Sequence, residues 1–212
     1  MESLIDASDA GVGLRRCAWP GLTSDYVRYH DEEWGVPIRG DVAYFERLTF
    51  ESFQSGLSWL IVMRKRPAFR LAFAGFEPER VADFDDADVS RLLTDPGIIR
   101  NRRKILATIT NARALRELRQ REGEGALEAT MLRHAPTDRE LRIEGFRRPP
   151  RRSGDLPTAT AASTALANLL KQRGFVFVGP TTLYAGMQAN GLVDDHLQGC
   201  FRRGMAAART DP

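Results

Sequence analysis

With 212 residues, 42% of them hydrophobic and 28% charged, the chain is long enough to bury one sizeable core or two small ones and has the balance of an ordinary soluble protein. Its apolar runs, such as "LSWLIVM", fall far short of the roughly 20 residues that span a bilayer, and "MESLIDASDAGVGLRRC" lacks the basic start and apolar stretch of a signal peptide, so a cytoplasmic protein is expected. The net charge is only +3, but arginines cluster in "RNRRK" at 100–104 and at Arg133, Arg139, Arg142, Arg147, Arg148, Arg151 and Arg152, a pattern that suits phosphates and equally suits a solvated surface.

Residues 1–16, rich in Asp, Gly and Ser and without a sustained period, are expected to form a flexible leader, residues 17–204 a single unit, and residues 205–212 a flexible tail. From Asp41, a plausible cap, Val42, Phe45, Leu48, Thr49 and Phe53 recur at helical steps. A second helix is expected from Ser58, with Pro67 as its interruption. "FEPERVADFDDADVSRLLTDPG" reads as two short helices, the second capped by Asp86 or Asp88 and stopped by Pro96 and Gly97. "RNRRKILATITNARALRELRQ" then makes a long amphipathic helix with Ile105, Ile109, Ala112 and Leu115 on one face.

Residues 121–156 break the rhythm with Gly, Pro and Arg, as a helix near 138–144 in a loop-rich setting or as a mobile basic connection. A helix in "LPTATAASTALANLLKQRG" has Thr158 or Thr160 to cap it and Gly174 to end it. "FVFVGP" is expected as an extended apolar connection, since one isolated strand makes no sheet. "PTTLYAGMQANG" is a further helix ending at Gly191, and "DDHLQGC" at 194–200 is expected as a last helical turn or two. The fold class is all-α.

Three constellations carry chemistry. On a helix His196 and Cys200 would lie one turn apart on one face, and Cys17 and His30, with Pro20 and Gly21 between them, could fold back as a second pair. Two cysteines and two histidines make a tetrahedral zinc set, though not at zinc-finger spacing; the alternatives are buried apolar cysteines with hydrogen-bonded histidines, or a disulfide, which a reducing cytosol disfavours. Secondly, "DYVRYHDEEWG" supplies Tyr26, Tyr29 and Trp34, and "ESFQSGLSW" supplies Glu51 and Trp59. A carboxylate among aromatic planes suits a flat, cationic or donor-rich heterocycle, and an aromatic core with Glu51 facing solvent explains the spacing equally well. Thirdly, "DPGIIRNRRK" joins two helices by a Pro-Gly turn followed at once by cations, an arrangement that can aim amides and arginines at a phosphate and is by itself common.

Together, "YHDEEWGVP" at 29–37, "ESFQSGLSW" at 51–59, "DPGIIRNRRKI" at 95–105, "RGFVFVGPTTLYAGMQANGLVDDH" at 173–196 and the flanking cysteines closely resemble the 3-methyladenine DNA glycosylase I family, a branch of the helix-hairpin-helix glycosylases, from Cys17 to Cys200. The resemblance implies a helical fold that removes N3-alkylated adenine from double-stranded DNA as a monomer, with one structural zinc on Cys17, His30, His196 and Cys200 joining the ends of the chain. It implies a base pocket in which Glu51 recognises the adenine edge and Tyr29 and Trp59 contact the base, with Tyr26 nearby and Trp19 and Trp34 completing the wall. Glu51 and Tyr29 are thereby the catalytic candidates. Gly97, Ile99, Arg100 and Lys104 fall on a hairpin that anchors the DNA backbone, and Gly56 and Leu57 on the segment that fills the gap left by an extruded base. Ser52, Phe53 and Ser55 are departures within the second motif that bear on selectivity among alkylated bases. Many relatives with this hairpin use an aspartate shortly after it; none stands between Gly97 and Thr137, in keeping with this branch. The contrasting expectations are a non-catalytic helix-hairpin-helix DNA-binding module and a hydrolase with a catalytic zinc.

Overall fold

A computed structural model describes residues 4–7, 13–19, 21 and 23–205. The expected tail lies outside these from residue 206, and the expected leader in part. The described chain is mostly helical. The expected leader nonetheless contains two strands, β1 (Leu4–Ala7) and β2 (Leu14–Cys17), paired antiparallel with Leu4 opposite Cys17.

The chain divides into two compact units, each assembled from separated segments. The first comprises residues 1–38, 135–162 and 187–212 and contains the hairpin, α1 (Ser24–Glu32) and α8 (Asp138–Ile143). The expected helix near 138–144 is therefore present, opened by a capping box between Thr137 and Glu140.

The second unit, residues 39–134 and 163–186, holds α2 (Asp41–Gln54), α3 (Trp59–Ala72), α4 (Pro78–Ala82), α5 (Asp86–Thr94), α6 (Arg102–Glu122), α7 (Ala126–Arg133) and most of α9 (Ala161–Gln172) and α10 (Pro180–Ala189). Its core is an aromatic stack: Phe50, Phe53, Phe69, Phe73 and Phe76 are buried, with ring centroids of successive partners 4.7 to 5.9 Å apart. Pro67 does not interrupt α3, which carries it internally. Burial of Val62 and Met63 before it, and of Phe69 and Ala72 after it, outweighs the cost of about 3 kcal/mol that an internal proline imposes.

Two cap assignments change. Asp85, not Asp86 or Asp88, caps α5, and Asp88 closes its capping box. Asp41 is the first residue of α2 rather than its cap, and its buried carboxylate serves another helix. It accepts the backbone N–H groups of Gly125, Leu127 and Glu128 at 3.0 Å each, at the start of α7, and pairs with Arg119 at 2.9 Å. Glu128 returns the favour by accepting the Gly40 N–H before α2 at 2.8 Å. Each of these helix starts is thus satisfied by an acid from the other.

Candidate functional site

In the first unit β2, α1 and the 194–200 segment bring Cys17, His30 and Cys200 together, all buried, with their ligand atoms within 4.8 Å of one another. Tetrahedral zinc with sulfur and nitrogen ligands separates neighbouring donors by about 3.6 Å, so a small contraction closes this set on an ion. His196 lies outside that distance, yet its ring centroid is 5.3 Å from that of His30, and its Nε2 is buried with no hydrogen-bond partner.

The histidines are oriented for a metal. His30 Nδ1 lies 2.8 Å from Asp31, and His196 Nδ1 lies 3.0 Å from Asp194, which leaves Nε2 of each for coordination. Asp31 is itself held by Arg16, whose Nη2 donates to it at 2.7 Å. Burial would raise the carboxyl pKa of both aspartates, but Arg16 and His30 at Asp31, and His196, the Gly204 N–H and Arg203 at Asp194, outweigh it and hold both low. The Cys17 thiol and the His30 ring lower the Cys200 pKa, and hydrogen bonding to Cys200 with burial raises that of Cys17. Leu197 N–H also points at Cys17 Sγ, 3.3 Å away. A thiolate 3.5 Å from His30 Nε2 and a second imidazole, of His196, with an unpartnered Nε2 are the donors a borderline-soft cation takes.

The residues 194–200 do not form the expected helical turn. Backbone groups that a turn would use are engaged elsewhere: Arg148 donates to the Asp194 carbonyl at 2.6 Å, Arg203 to the His196 carbonyl at 3.1 Å, and Gln198 N–H to the Pro150 carbonyl at 2.7 Å. Arg148 is buried and also pairs with Asp195 and Asp138, so one member of the arginine-rich stretch is structural, whereas Arg139, Arg142 and Arg147 are exposed. Gly35 makes room for His196: a Cβ there would stand 2.6 Å from the ring, and its φ of +79° suits glycine. Trp34 packs edge-on against His196 at 4.5 Å, and Trp19 lies 6.2 Å from each of Tyr26 and Tyr29 and 5.5 Å from His30. Trp34 and Trp19 therefore pack against the two histidines, and Tyr26 and Tyr29 against Trp19.

The other candidates stand in the second unit. Glu51 is buried on α2 between Phe50 and Phe53, and among the described residues its carboxylate has no hydrogen-bond partner. Burial raises its pKa to about 7, against a smaller opposing pull from Arg47 one turn earlier. Gly186 of α10 leaves space beside it, since a Cβ there would meet the Glu51 side chain at 3.9 Å. Trp59, half-buried, opens α3. Between these helices Gly56 adopts φ +81° and presents Leu57, which is 38% exposed.

The connection 95–101, with a turn at Pro96 and Gly97, joins α5 to α6 where the hairpin is expected. Gly97 N–H donates to Asp95 at 2.7 Å, Ile99 is half-buried, and Arg100, Arg102 and Arg103 are exposed. Lys104 differs from expectation. It is buried, its Nζ donates to the carbonyls of Phe53 and Ser55 at 2.8 and 2.7 Å, and burial lowers its pKa. Two of its three N–H groups are used at the end of α2, which holds it there while Arg100, Arg102 and Arg103 stay exposed.

Asp31 and Asp194 were missed by sequence reasoning, and Arg148 was read only as one of the clustered arginines. For the aspartates a signal existed, an acid within two residues of each candidate histidine; for Arg148 there was none.

A family model described as methyladenine glycosylase matches residues 19–203. The DNA-3-methyladenine glycosylase 1 of Escherichia coli strain K12 is 42% identical over 189 residues, which cover 88% of this chain and 96% of that one. A crystal structure of a 3-methyladenine DNA glycosylase I superposes with a TM-score of 0.80 at 42% identity, covering 89% of this chain and 99% of the other. The enzyme of Staphylococcus aureus, solved for the structural basis of 3-methyladenine recognition, superposes at 0.77 with 33% identity and 89% and 96% coverage. With its helical units and buried carboxylate and over nearly its whole length, the chain belongs to the methyladenine glycosylase family.

Proposed function

We propose that this protein is a base-excision repair glycosylase that hydrolyses the N-glycosidic bond of N3-alkylated adenine in double-stranded DNA. The observation that carries this reading is Glu51, a carboxylate buried on α2 without a hydrogen-bond partner among the described residues and with its pKa raised to about 7. An unpaired buried carboxylate costs stability, and such groups cluster where a ligand supplies the missing partner. An adenine alkylated at N3 supplies both a positive charge and an exocyclic amine.

The chemistry needs little more. Cleavage of the bond to the sugar releases the cationic base as a neutral molecule, so the leaving group is already activated, and water completes the hydrolysis. Extrusion places the damaged base against Glu51, with Trp59 of the same unit contacting the ring. Tighter binding of the departing base than of the stacked one lowers the barrier. No aspartate follows the hairpin to activate water, and the cationic leaving group makes that omission tolerable. The hairpin, through Gly97, Ile99, Arg100 and its neighbouring arginines, grips the phosphates, and Gly56 and Leu57 occupy the vacated stack.

Cys17, His30, His196 and Cys200 hold one zinc ion. Four protein ligands leave no open position, so the ion supplies structural cross-linking of β2, α1 and the 194–200 segment. The protein works as a monomer in the cytoplasm; no described helix is long and apolar enough to cross a membrane.

The test is release of free base from methylated duplex, with and without a chelator. Release of 3-methyladenine, with chelation lowering thermal stability before it lowers the rate, is the expected result. Binding without release would identify a DNA-binding module, and immediate loss of release at unchanged fold would identify a catalytic metal.

A further inference from the structure

The exposed turn at Gly56–Leu57 is fastened to the hairpin at both of its flanks. On one side the end of α2 is held by Lys104, whose Nζ donates to Phe53 and Ser55 carbonyls at 2.8 and 2.7 Å from the first turn of α6, just beyond the hairpin. The last carbonyls of a helix have no partner within it, and a buried ammonium there satisfies two of them while complementing the helix dipole. On the other side α3 is held by Lys65, whose Nζ donates to the Pro96 carbonyl inside the hairpin at 2.8 Å. The hairpin also presses on α3 closely enough that a Cβ on Gly97 would stand 2.9 Å from the Ala68 methyl. The turn itself is braced across its base: Leu57 N–H donates to the Gln54 carbonyl at 2.7 Å, and the Gln54 side chain donates to the Leu57 carbonyl at 3.2 Å.

We propose that Lys104 and Lys65 lock the Leu57 turn to the hairpin as one rigid body, so that Lys104 is a positioning residue that transmits the phosphate grip to the wedge. The inference rests on the glycosylase reading above. The exposed Arg100, Arg102 and Arg103 take the phosphates, and Lys104 fixes where Leu57 and the last turn of α2, two residues beyond Glu51, stand relative to them.

The experiment compares the wild type with Lys104→Met, Lys104→Arg, Leu57→Ala and the double variant Lys104→Met/Leu57→Ala. Three readouts are taken: the salt dependence of binding to undamaged duplex, base extrusion reported by 2-aminopurine fluorescence, and single-turnover release of 3-methyladenine. Wild-type release must be seen first; its absence would overturn the glycosylase reading, and its presence leaves the lock alone under test. Lys104→Met is expected to reduce extrusion and release about tenfold while leaving the affinity for undamaged duplex within about twofold and the salt slope unchanged. Lys104→Arg recovers part of the loss, and adding Leu57→Ala to Lys104→Met costs much less than it costs the wild type, because the two act on one step. A salt slope lowered by about one would make Lys104 a phosphate contact and overturn the proposal. Unchanged release in the folded variant, or strictly additive losses, would overturn it too. Should Lys104→Met fail to fold, Lys65→Met removes the second tie at a half-buried site, where the same signature supports the lock and wild-type behaviour contradicts it.

Discussion

The two units each bury a polar cluster, and the clusters are satisfied in opposite ways. Around Cys17, His30, His196 and Cys200 the polar groups are tied outward, through Asp31 to Arg16 and through Asp194 to Arg203 and Gly204, and the donor atoms left over converge as an ion requires. Around Glu51 a carboxylate is buried beside Gly186 of α10 with nothing bonded to it among the described residues. The first arrangement converges donors that could hold a cation, whereas the second leaves a buried carboxylate without a partner at a cost to stability. Burial therefore marks function only where a polar group lacks its partner.

The contrast is broken most severely by removing a metal ligand. Cys200→Ser is expected to cost at least about 4 kcal/mol, a fall in Tm of roughly 10 °C or more for a chain this size, while excision per folded molecule at low temperature stays near wild type. Thermal unfolding beside single-turnover excision reads this, and lost excision at unchanged Tm would move the chemistry to the metal. Next in size, Asp41→Ala leaves three α7 amides and Arg119 without their acceptor, and is expected to cost about 3–5 kcal/mol in denaturant unfolding. Leu57→Ala, at an exposed tip, should change stability by no more than about 0.5 kcal/mol and slow excision about tenfold. The smallest change expected is from Arg47→Met: loss of the one opposing charge raises the Glu51 pKa further and moves the corresponding limb of the excision pH profile upward.

The grouping of Cys17, His30 and Cys200 was legible in the chain because cysteine and histidine are scarce there and soft donors belong together, whatever the backbone does. Their local conformation was not, since residues 194–200 are shaped by Arg148, Arg203 and Pro150, which are distant in sequence or just beyond the segment. The amphipathic helices α2, α5 and α6 followed from period and turn chemistry. α7 was missed because its start carries only Gly125 and no capping side chain of its own; its cap is Asp41, supplied by another helix. Lys104 illustrates the same limit at the site. Next to three arginines it reads as one more cation for DNA, and only the fold shows its ammonium turned inward onto α2. Glu51 was legible as an acid among apolar residues, and its lack of a partner required the packed helix.

The most direct test of the central claim is Glu51→Gln followed by single-turnover excision and thermal unfolding at pH 5 and pH 8. Because the folded pKa of about 7 lies above the ordinary 4.5, the carboxyl makes folding less favourable as pH rises from 4.5 to 7, by on the order of 3 kcal/mol in all. The account predicts that Glu51→Gln lowers excision roughly 100-fold while raising Tm at pH 8 and leaving it nearly unchanged at pH 5. Excision within about twofold of wild type, or a Tm that falls at pH 8, would contradict it.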